Sequence, residues 1–481
     1  MFQEKPFIKL FQVMNAYYIY DVNSNKIIET NQEIYTYLDA VLKNASPVPE
    51  LNSQLLHVVQ DMLQAGLLQQ QADVEIEHVM TDQLENILEH ELSRICLQVT
   101  QNCNLRCKYC VFSGSYVNRV HNNKRMDWET AKRALDFLYE HSGESDKEVM
   151  IGFYGGEPLL EFDLIQKCVE YSYKLFPSKN LQFNITTNAT LLHRKVAQYL
   201  LDNNFSISIS IDGPQAIHDL NRVYVNGQGS FESVMGNLQG MLESIPDVPT
   251  EKFIISTVVS NDADLESVVR FFKEDSQVSR FTYQLTSVND VNMKQRPLPT
   301  CKQNEIINEY EKAKIFLYGV GRIPIEMTSR MAEAYANQLA DTFCHRTAID
   351  MTRRKLHPGG PCVPGQHKLF VDVEGNLYPC ERVSETSPVM KMGSLESGFD
   401  IAAAKRLLNV GQATEKECSE CWAFHFCTQC VAFADGVTEI SKEKRLSECE
   451  RVKTSVEEMM KDYIVLQTYG CEFEKYENIK F

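Results

Sequence analysis

No apolar run in this 481-residue chain approaches the length of a bilayer crossing, so the sequence offers no membrane span. The start, Met1–Phe2–Gln3–Glu4–Lys5–Pro6, leads into no long apolar region and so does not read as a secretory signal; a cytoplasmic location is the expectation. Positive charge is in deficit: 48 Lys and Arg stand against 65 Asp and Glu, a net charge of −17, which argues against general binding to nucleic acid. Internal repeats and low-complexity segments are missing as well, leaving roughly two to four ordinary domains for a chain of this length. What the chain does have is cysteine. There are 15, an odd number without an export signal, which favours metal ligation over disulfides.

Three of the cysteines fall in the run Cys103–Asn104–Leu105–Arg106–Cys107–Lys108–Tyr109–Cys110, spaced C-x3-C-x2-C. Soft thiolates select zinc, copper(I) or iron–sulfur clusters, and structural zinc wants a complete tetrahedron. A cubane held by three thiolates leaves one iron open to a small molecule. The alternative is a zinc loop completed from elsewhere, for example by His121. The preceding stretch, Ile95–Thr100, reads as a buried strand, so the loop emerges from a strand end. The run, with Tyr109 just before the last cysteine, resembles the signature of the radical S-adenosylmethionine (SAM) superfamily.

From about residue 94 strands and helices alternate. Strands are expected at Glu148–Phe153, Leu181–Thr187, Ser206–Ile211, Lys252–Val259 and Arg280–Thr286. Helices are expected at Trp128–Tyr139 with Asp127 as N-cap, Asp163–Leu175, His193–Asp202 and Asp264–Glu274. Such βα repeats with near-continuous apolar strands mean a parallel sheet, here an α/β partial (β/α)6 barrel with ligands at the carboxyl strand ends. The second strand ends in Tyr154–Gly155–Gly156–Glu157–Pro158; its glycines let backbone approach a ligand closely. In the superfamily this motif holds the amino group of SAM, so the resemblance assigns Gly155, Gly156 and Glu157 to the cofactor. It likewise assigns Ser210 to the ribose and Arg222 to the carboxylate of SAM. The plain alternative is a turn at Asp212–Gly213–Pro214 with Arg222 as a surface cation. Thr187 and Asn188 are either substrate-side or loop-forming residues.

Before the barrel come short runs at Phe7–Val13, Ala16–Val22 and Lys26–Glu29, then helical patterns from Asn31 through Leu42 and near Leu51–Ala65, ending at Gly66. This order resembles the winged-helix-like α+β recognition element of enzymes that modify ribosomally made precursor peptides, where a leader adds as a strand to a sheet edge. An ordinary capping domain is the alternative. After the barrel, Cys362 is followed by twelve residues, Gly375, four residues and Cys380; then come Cys418-x2-Cys421-x5-Cys427-x2-Cys430 and Cys449. This resembles the auxiliary iron–sulfur domain called SPASM, apart from two residues where the family has three before Cys430. By the family's interleaving, Cys344, Cys362, Cys380 and Cys430 hold a first auxiliary cluster, and Cys418, Cys421, Cys427 and Cys449 a second. Two zinc sites are the alternative. Cys96 and Cys168 sit in apolar patterns and read as core, whereas Cys301 and Cys471 have no assigned role. Glu381, next to Cys380, matches an aspartate thought to be a base in related sulfatase-maturing enzymes; a surface glutamate is the alternative.

The expected organisation is therefore a peptide-recognition element over 1–90, a radical SAM partial barrel over 91–320, and a bridging region with a C-terminal cysteine-rich iron–sulfur domain over 321–481. The stretches Lys368–Leu369–Phe370–Val371–Asp372 and Tyr378–Pro379–Cys380–Glu381–Arg382–Val383 look most like thioether (ranthipeptide or SCIFF) maturases. The resemblance implies three [4Fe-4S] clusters, SAM, a cysteine-rich precursor peptide with a leader, and an electron donor of flavodoxin or ferredoxin type. It implies that a 5′-deoxyadenosyl radical abstracts hydrogen from the peptide, after which a cysteine sulfur bonds to that carbon. The alternatives are formylglycine formation, carbon–carbon crosslinking, or a non-catalytic electron carrier or zinc scaffold.

Overall fold

The computed structural model describes residues 2, 4–143, 148–245, 247–295, 301–344, 354–366 and 368–477. At the N-terminus, strands β1 (Ile8–Val13), β2 (Ala16–Asp21) and β3 (Lys26–Thr30) form an antiparallel sheet in that order. Helices α1 (Gln32–Leu42) and α2 (Ser53–Gln64) follow. Asn31 and Asn52 start them by accepting from Ile34 N and Leu55 N, each at 2.9 Å, caps worth about 1 kcal/mol apiece. Strand alternation gives the sheet two apolar faces. Ile8 and Ile19 pack on Ile34, Leu38, Val59 and Leu68. Phe11, Val13, Tyr18 and Tyr20 face the other way, into a core shared with the C-terminal part of the chain.

After β4 (Glu75–Ile76) and α3 (Leu84–His90) comes the main sheet. Six strands, each parallel to the next, are β5 (Arg94–Thr100), β6 (Val149–Gly155), β7 (Leu181–Thr187), β8 (Phe205–Ser210), β9 (Phe253–Val259) and β10 (Thr282–Ser287). The crossovers carry α4 (Trp128–His141), α5 (Phe162–Leu175), α6 (Arg194–Asp202), α7 (Gln215–Asn221), α8 (Phe231–Ser244) and α9 (Leu265–Glu274). β5 is buried throughout except at Arg94, as a strand covered on both faces must be. Asp127 caps α4 by accepting from Thr130 N at 2.7 Å. Strand ends differ from the apolar pattern by a residue or two because backbone pairing, not hydrophobicity, sets them.

Helices α10 (Lys302–Gly319) and α11 (Arg330–Phe343) precede three short strands, β11 (Lys355–Leu356), β12 (Leu369–Val371) and β13 (Leu377–Tyr378). β12 adds in parallel to β5 and β13 pairs antiparallel with β12, so the sheet has eight strands. These two strands are too short to show any periodicity in sequence. The cysteine-rich end then contributes α12 (Ile401–Leu408), α13 (Glu415–Ser419), α14 (Lys442–Ser447) and α15 (Cys449–Thr468). One continuous core runs from the barrel strands through Phe370, Leu377, Met392 and Leu407; Cys96 and Cys168 are buried in it. Among the described residues, no helix is long and apolar enough to cross a membrane.

The N-terminal sheet sits directly on the cysteine-rich end. The Tyr20 ring lies 5.5 Å from that of Phe426. Lys9 pairs with Glu457 at 2.8 Å and lies 5.0 Å over Trp422. His425 Nε2 donates to Val22 O at 3.1 Å, and burial lowers its pKa to about 4, so the ring is neutral.

Candidate active site

The three-cysteine loop leaves the carboxyl end of β5 and is held by segments that follow β7 and α7. Arg106 N donates to Val223 O at 2.7 Å and Lys108 N to Asn221 O at 3.1 Å, so the loop pairs with the chain around Arg222. From the other side, Asn188 Nδ2 donates to Asn104 Oδ1 at 2.9 Å and approaches Cys103 Sγ at 3.7 Å. Leu105 N points at the same sulfur, 3.4 Å away. Asn188 thus belongs to the scaffold of the loop. Burial pushes the Cys103 thiol up to about 12 and the Cys107 thiol up to about 11; Arg222 opposes the shift at Cys107. Cys110 is raised by burial too, against the charges of Arg222, Arg119 and Arg106.

Gly155 and Gly156 lie against the chain that enters the loop. A Cβ on Gly155 would stand 2.0 Å from Thr100 O, and one on Gly156 2.1 Å from Asn102 O; Gly155 also has φ +139. Only glycine lets these backbones meet. Glu157 is fully buried. Its carboxylate accepts from Leu159 N at 3.0 Å, Thr187 Oγ1 at 2.7 Å and Asn188 N at 2.7 Å. It therefore cross-ties the ends of β6 and β7 with three of roughly four acceptor sites. Burial raises its pKa against those bonds.

Ser210, the last residue of β8, and Arg222 are both buried. Arg222 Nε lies 3.0 Å from Asp212 Oδ2, and its guanidinium sits 5.5 Å over the Tyr109 ring. Tyr109 donates its hydroxyl to the same Asp212 oxygen, while Asp212 Oδ1 accepts from Val258 N at 3.0 Å. Asp212 is therefore the anchor of the cluster, more than the turn residue of the alternative reading, and Arg222 is no surface cation. His218 supports both. Its Nδ1 accepts from Asp212 N at 3.3 Å and its Nε2 lies 3.0 Å from Ser230 Oγ, which donates to Arg222 O at 2.8 Å. That chain of bonds selects the neutral Nε2–H tautomer, in line with a pKa lowered to about 3 by burial and by Arg222.

At the cysteine-rich end, electrostatic neighbours sort the thiols into two groups. Cys421 is raised to about 11 by burial, with Cys427 and Cys418 adding to it. Cys427 is raised by burial, with Cys418 and Cys449 adding. Cys380, raised to about 11 chiefly by burial and Glu381, also feels Cys430. Cys344 and Cys362 are exposed, and residues 345–353 beyond Cys344 lie outside the described residues. Among the described residues no group of three or more His, Cys, Asp or Glu side chains stands at the spacing of a single metal ion, and both ring nitrogens of His121 lack hydrogen-bond partners. Glu381 is partly buried, with Oε1 2.7 Å from Lys368 Nζ and Oε2 buried without a partner among the described residues. Arg119 joins the two regions: it donates to Val383 O and pairs with Glu385 at 2.9 Å, while its charge reaches Cys110. Arg119 carries no motif that sequence reading could have used.

The model of the radical SAM superfamily matches residues 97–298. An uncharacterised protein of Methanocaldococcus jannaschii is 33% identical over 291 residues, covering 60% of this chain and 85% of that protein. The chain belongs to the radical SAM superfamily. Among further relatives of this radical SAM protein, a cysteine-type anaerobic sulfatase-maturating enzyme of Clostridium novyi is 28% identical over 207 residues, 41% of this chain and 53% of the enzyme. The radical SAM cyclopropyl synthase TigE of Paramaledivibacter caminithermalis is 24% identical over 250 residues, 48% of this chain and 52% of the synthase. The chain thus spans about half the length of these two relatives. In three dimensions it is similar to native anSMEcpe with bound AdoMet, at TM-score 0.53 and 19% identity, covering 75% of this chain and 98% of that one. That likeness is one of fold.

Superfamily membership implies a SAM-binding [4Fe-4S] cluster, and the donor set fits it. Three half-buried thiols, raised by desolvation, gain most from a bound cation that displaces their protons. Backbone and amide N–H groups already point at Cys103 sulfur, and three arginines bear on Cys110.

Proposed function

We propose that this radical SAM enzyme is a peptide maturase that forms thioether bonds from cysteine sulfur to a carbon of another residue in a ribosomally made precursor. The observation carrying the reading is that β12 and β13 extend the sheet beside β5 and lead into Cys380 and Glu381, while Arg119, nine residues after Cys110, reaches Val383 O and Glu385 just beyond them. A thiol-rich region beside the radical source suits chemistry that ends in a carbon–sulfur bond. Similarity to proteins named as a cysteine-type sulfatase-maturating enzyme and a radical SAM cyclopropyl synthase supports the reading.

In this reading Cys103, Cys107 and Cys110 hold the first cluster, which with bound SAM supplies a hydrogen-abstracting radical. Tyr109 and Asp212 hold Arg222 so that the rest of its guanidinium fork meets the SAM carboxylate. Ser210 meets the ribose, and Gly155 and Gly156 open space for the methionine part, with the last free acceptor site of Glu157 for its ammonium. Cys344, Cys362, Cys380 and Cys430 hold one auxiliary cluster and Cys418, Cys421, Cys427 and Cys449 another. The buried, unpaired Oε2 of Glu381 takes the proton of the peptide thiol. The leader adds along β3, an edge strand of the winged-helix-like N-terminal element. The enzyme works in the cytoplasm with a flavodoxin- or ferredoxin-type donor.

Similarity to sulfatase-maturating enzymes favours formylglycine formation as the second reading; the N-terminal element speaks against it. The test is anaerobic reconstitution with dithionite, SAM and cysteine-rich peptides encoded near the gene. Thioether formation gives 5′-deoxyadenosine and a peptide lighter by one H2 per bond. An unchanged peptide mass refutes the thioether reading, and absence of 5′-deoxyadenosine leaves an electron carrier or scaffold.

A further inference from the structure

The side chain of Arg445 is among the largest fully buried in the chain, at 1% exposure. Its Nε donates to Thr414 Oγ1 at 3.1 Å, and that hydroxyl lies 3.1 Å from Cys418 Sγ. Among the described residues, Nη1 and Nη2 have no hydrogen-bond partner and no carboxylate pairs with the guanidinium. Burying an unpaired cation costs several kcal/mol, so the site needs a negative group. Arg445 lies on α14, one turn before Cys449, whose Sγ is 3.9 Å from the Arg445 carbonyl. On another side stands His357, kept neutral with a pKa of about 4, chiefly by burial. Neutral thiols do not compensate a guanidinium. A cubane with four thiolates is anionic, and its reduction adds further negative charge. Gln429 is built the same way: Nε2 points at Cys449 Sγ, 3.6 Å away, and the residue is buried.

We propose that Arg445 is the counter-charge and hydrogen-bond donor of an iron–sulfur cluster held by Cys418, Cys421, Cys427 and Cys449, and that it raises the reduction potential of that cluster. The proposal rests on reading those four cysteines as one auxiliary site. Potentials of such clusters follow net charge and hydrogen bonds to sulfur, and a buried cation favours the reduced form. Arg445 is a tuning residue, acting through the cluster.

The test uses the full chain with Cys103, Cys107 and Cys110 changed to Ala, so that only auxiliary iron is observed. Iron and sulfide per chain are counted, and the reduced clusters are followed by electron paramagnetic resonance during a mediated titration. Arg445→Gln is expected to keep the iron but lower one potential by at least tenfold in the one-electron equilibrium constant, about 59 mV. Arg445→Lys is expected to stay near the parent. Unchanged potentials with full iron in Arg445→Gln overturn the role of Arg445 and leave the cluster assignment standing. If Arg445→Gln loses that cluster, Arg445→Lys decides: a parental potential supports the proposal, and the same loss overturns it. Should Cys418→Ala with Cys421→Ala remove no iron, the cluster assignment itself fails, and the proposal with it.

Discussion

Asp212→Asn isolates the ion pair beneath the three-cysteine loop. The side chains of Asp212 and Arg222 are 1% and 9% exposed and their Oδ2 and Nε lie 3.0 Å apart. Asparagine keeps the shape and can still accept from Val258 N, but it leaves Arg222 as a buried, uncompensated cation. Removing one partner of such a pair costs about 3–5 kcal/mol, whereas replacing both by apolar groups is often close to neutral. Arg222 is also held by its aromatic contact with Tyr109, so the lower half of that range is expected. Urea unfolding of the metal-free chain, compared at equal m-values, is expected to show Asp212→Asn losing about 3 kcal/mol. Asp212→Asn combined with Arg222→Met is expected to recover most of it. A loss under about 1 kcal/mol in the single variant, or a double variant as weak as the sum of its singles, refutes the claim that desolvated charge holds this corner.

Gly156→Ala drives a methyl to 2.1 Å from Asn102 O; we expect a loss of about 1–3 kcal/mol and reduced iron in the loop by metal analysis. His218 is held at about 3 against an ordinary 6.5. Below pH 6.5 the unfolded chain takes up a proton that the native ring refuses. Its contribution, complete above 6.5, is thus lost as pH falls toward about 3, by up to about 1.4 kcal/mol per unit. His218→Asn is expected to flatten that part of the stability–pH curve by one proton. Glu381→Gln is expected to abolish peptide crosslinking while 5′-deoxyadenosine still forms; equal loss of both, read by chromatography, refutes a base role.

Much of the barrel could be read in advance because its strands carry apolar side chains at their buried positions and two of its helices have Asp caps, so Leu181–Thr187, buried at alternate residues, and the Asp127 cap show as local patterns. Cysteine spacing was equally legible, since thiol chemistry leaves few competing explanations. The supports were not. Asp212 joins a partner more than a hundred residues away in Tyr109 and a nearby one in Arg222, and no local period marks such a contact. β12 and β13, with three and two residues, exist only through pairing with β5 and with each other. For Glu157 the motif points to the cofactor amino group, while its three bonds to neighbouring backbone and Thr187 have no local signal, because two strand ends converge on it.

The seat of the first sheet on Trp422, His425 and Phe426 has an evolutionary and practical corollary. An N-terminal element that shares aromatic packing with the loop between Cys421 and Cys427 is not an interchangeable cassette. Grafting it onto another radical SAM protein demands transplanting that loop and matching faces of α11 and α15 along with it. Chimeras that carry residues 1–90 alone would strand Phe11, Tyr18 and Tyr20 in water and strip the cysteine loop of its cover.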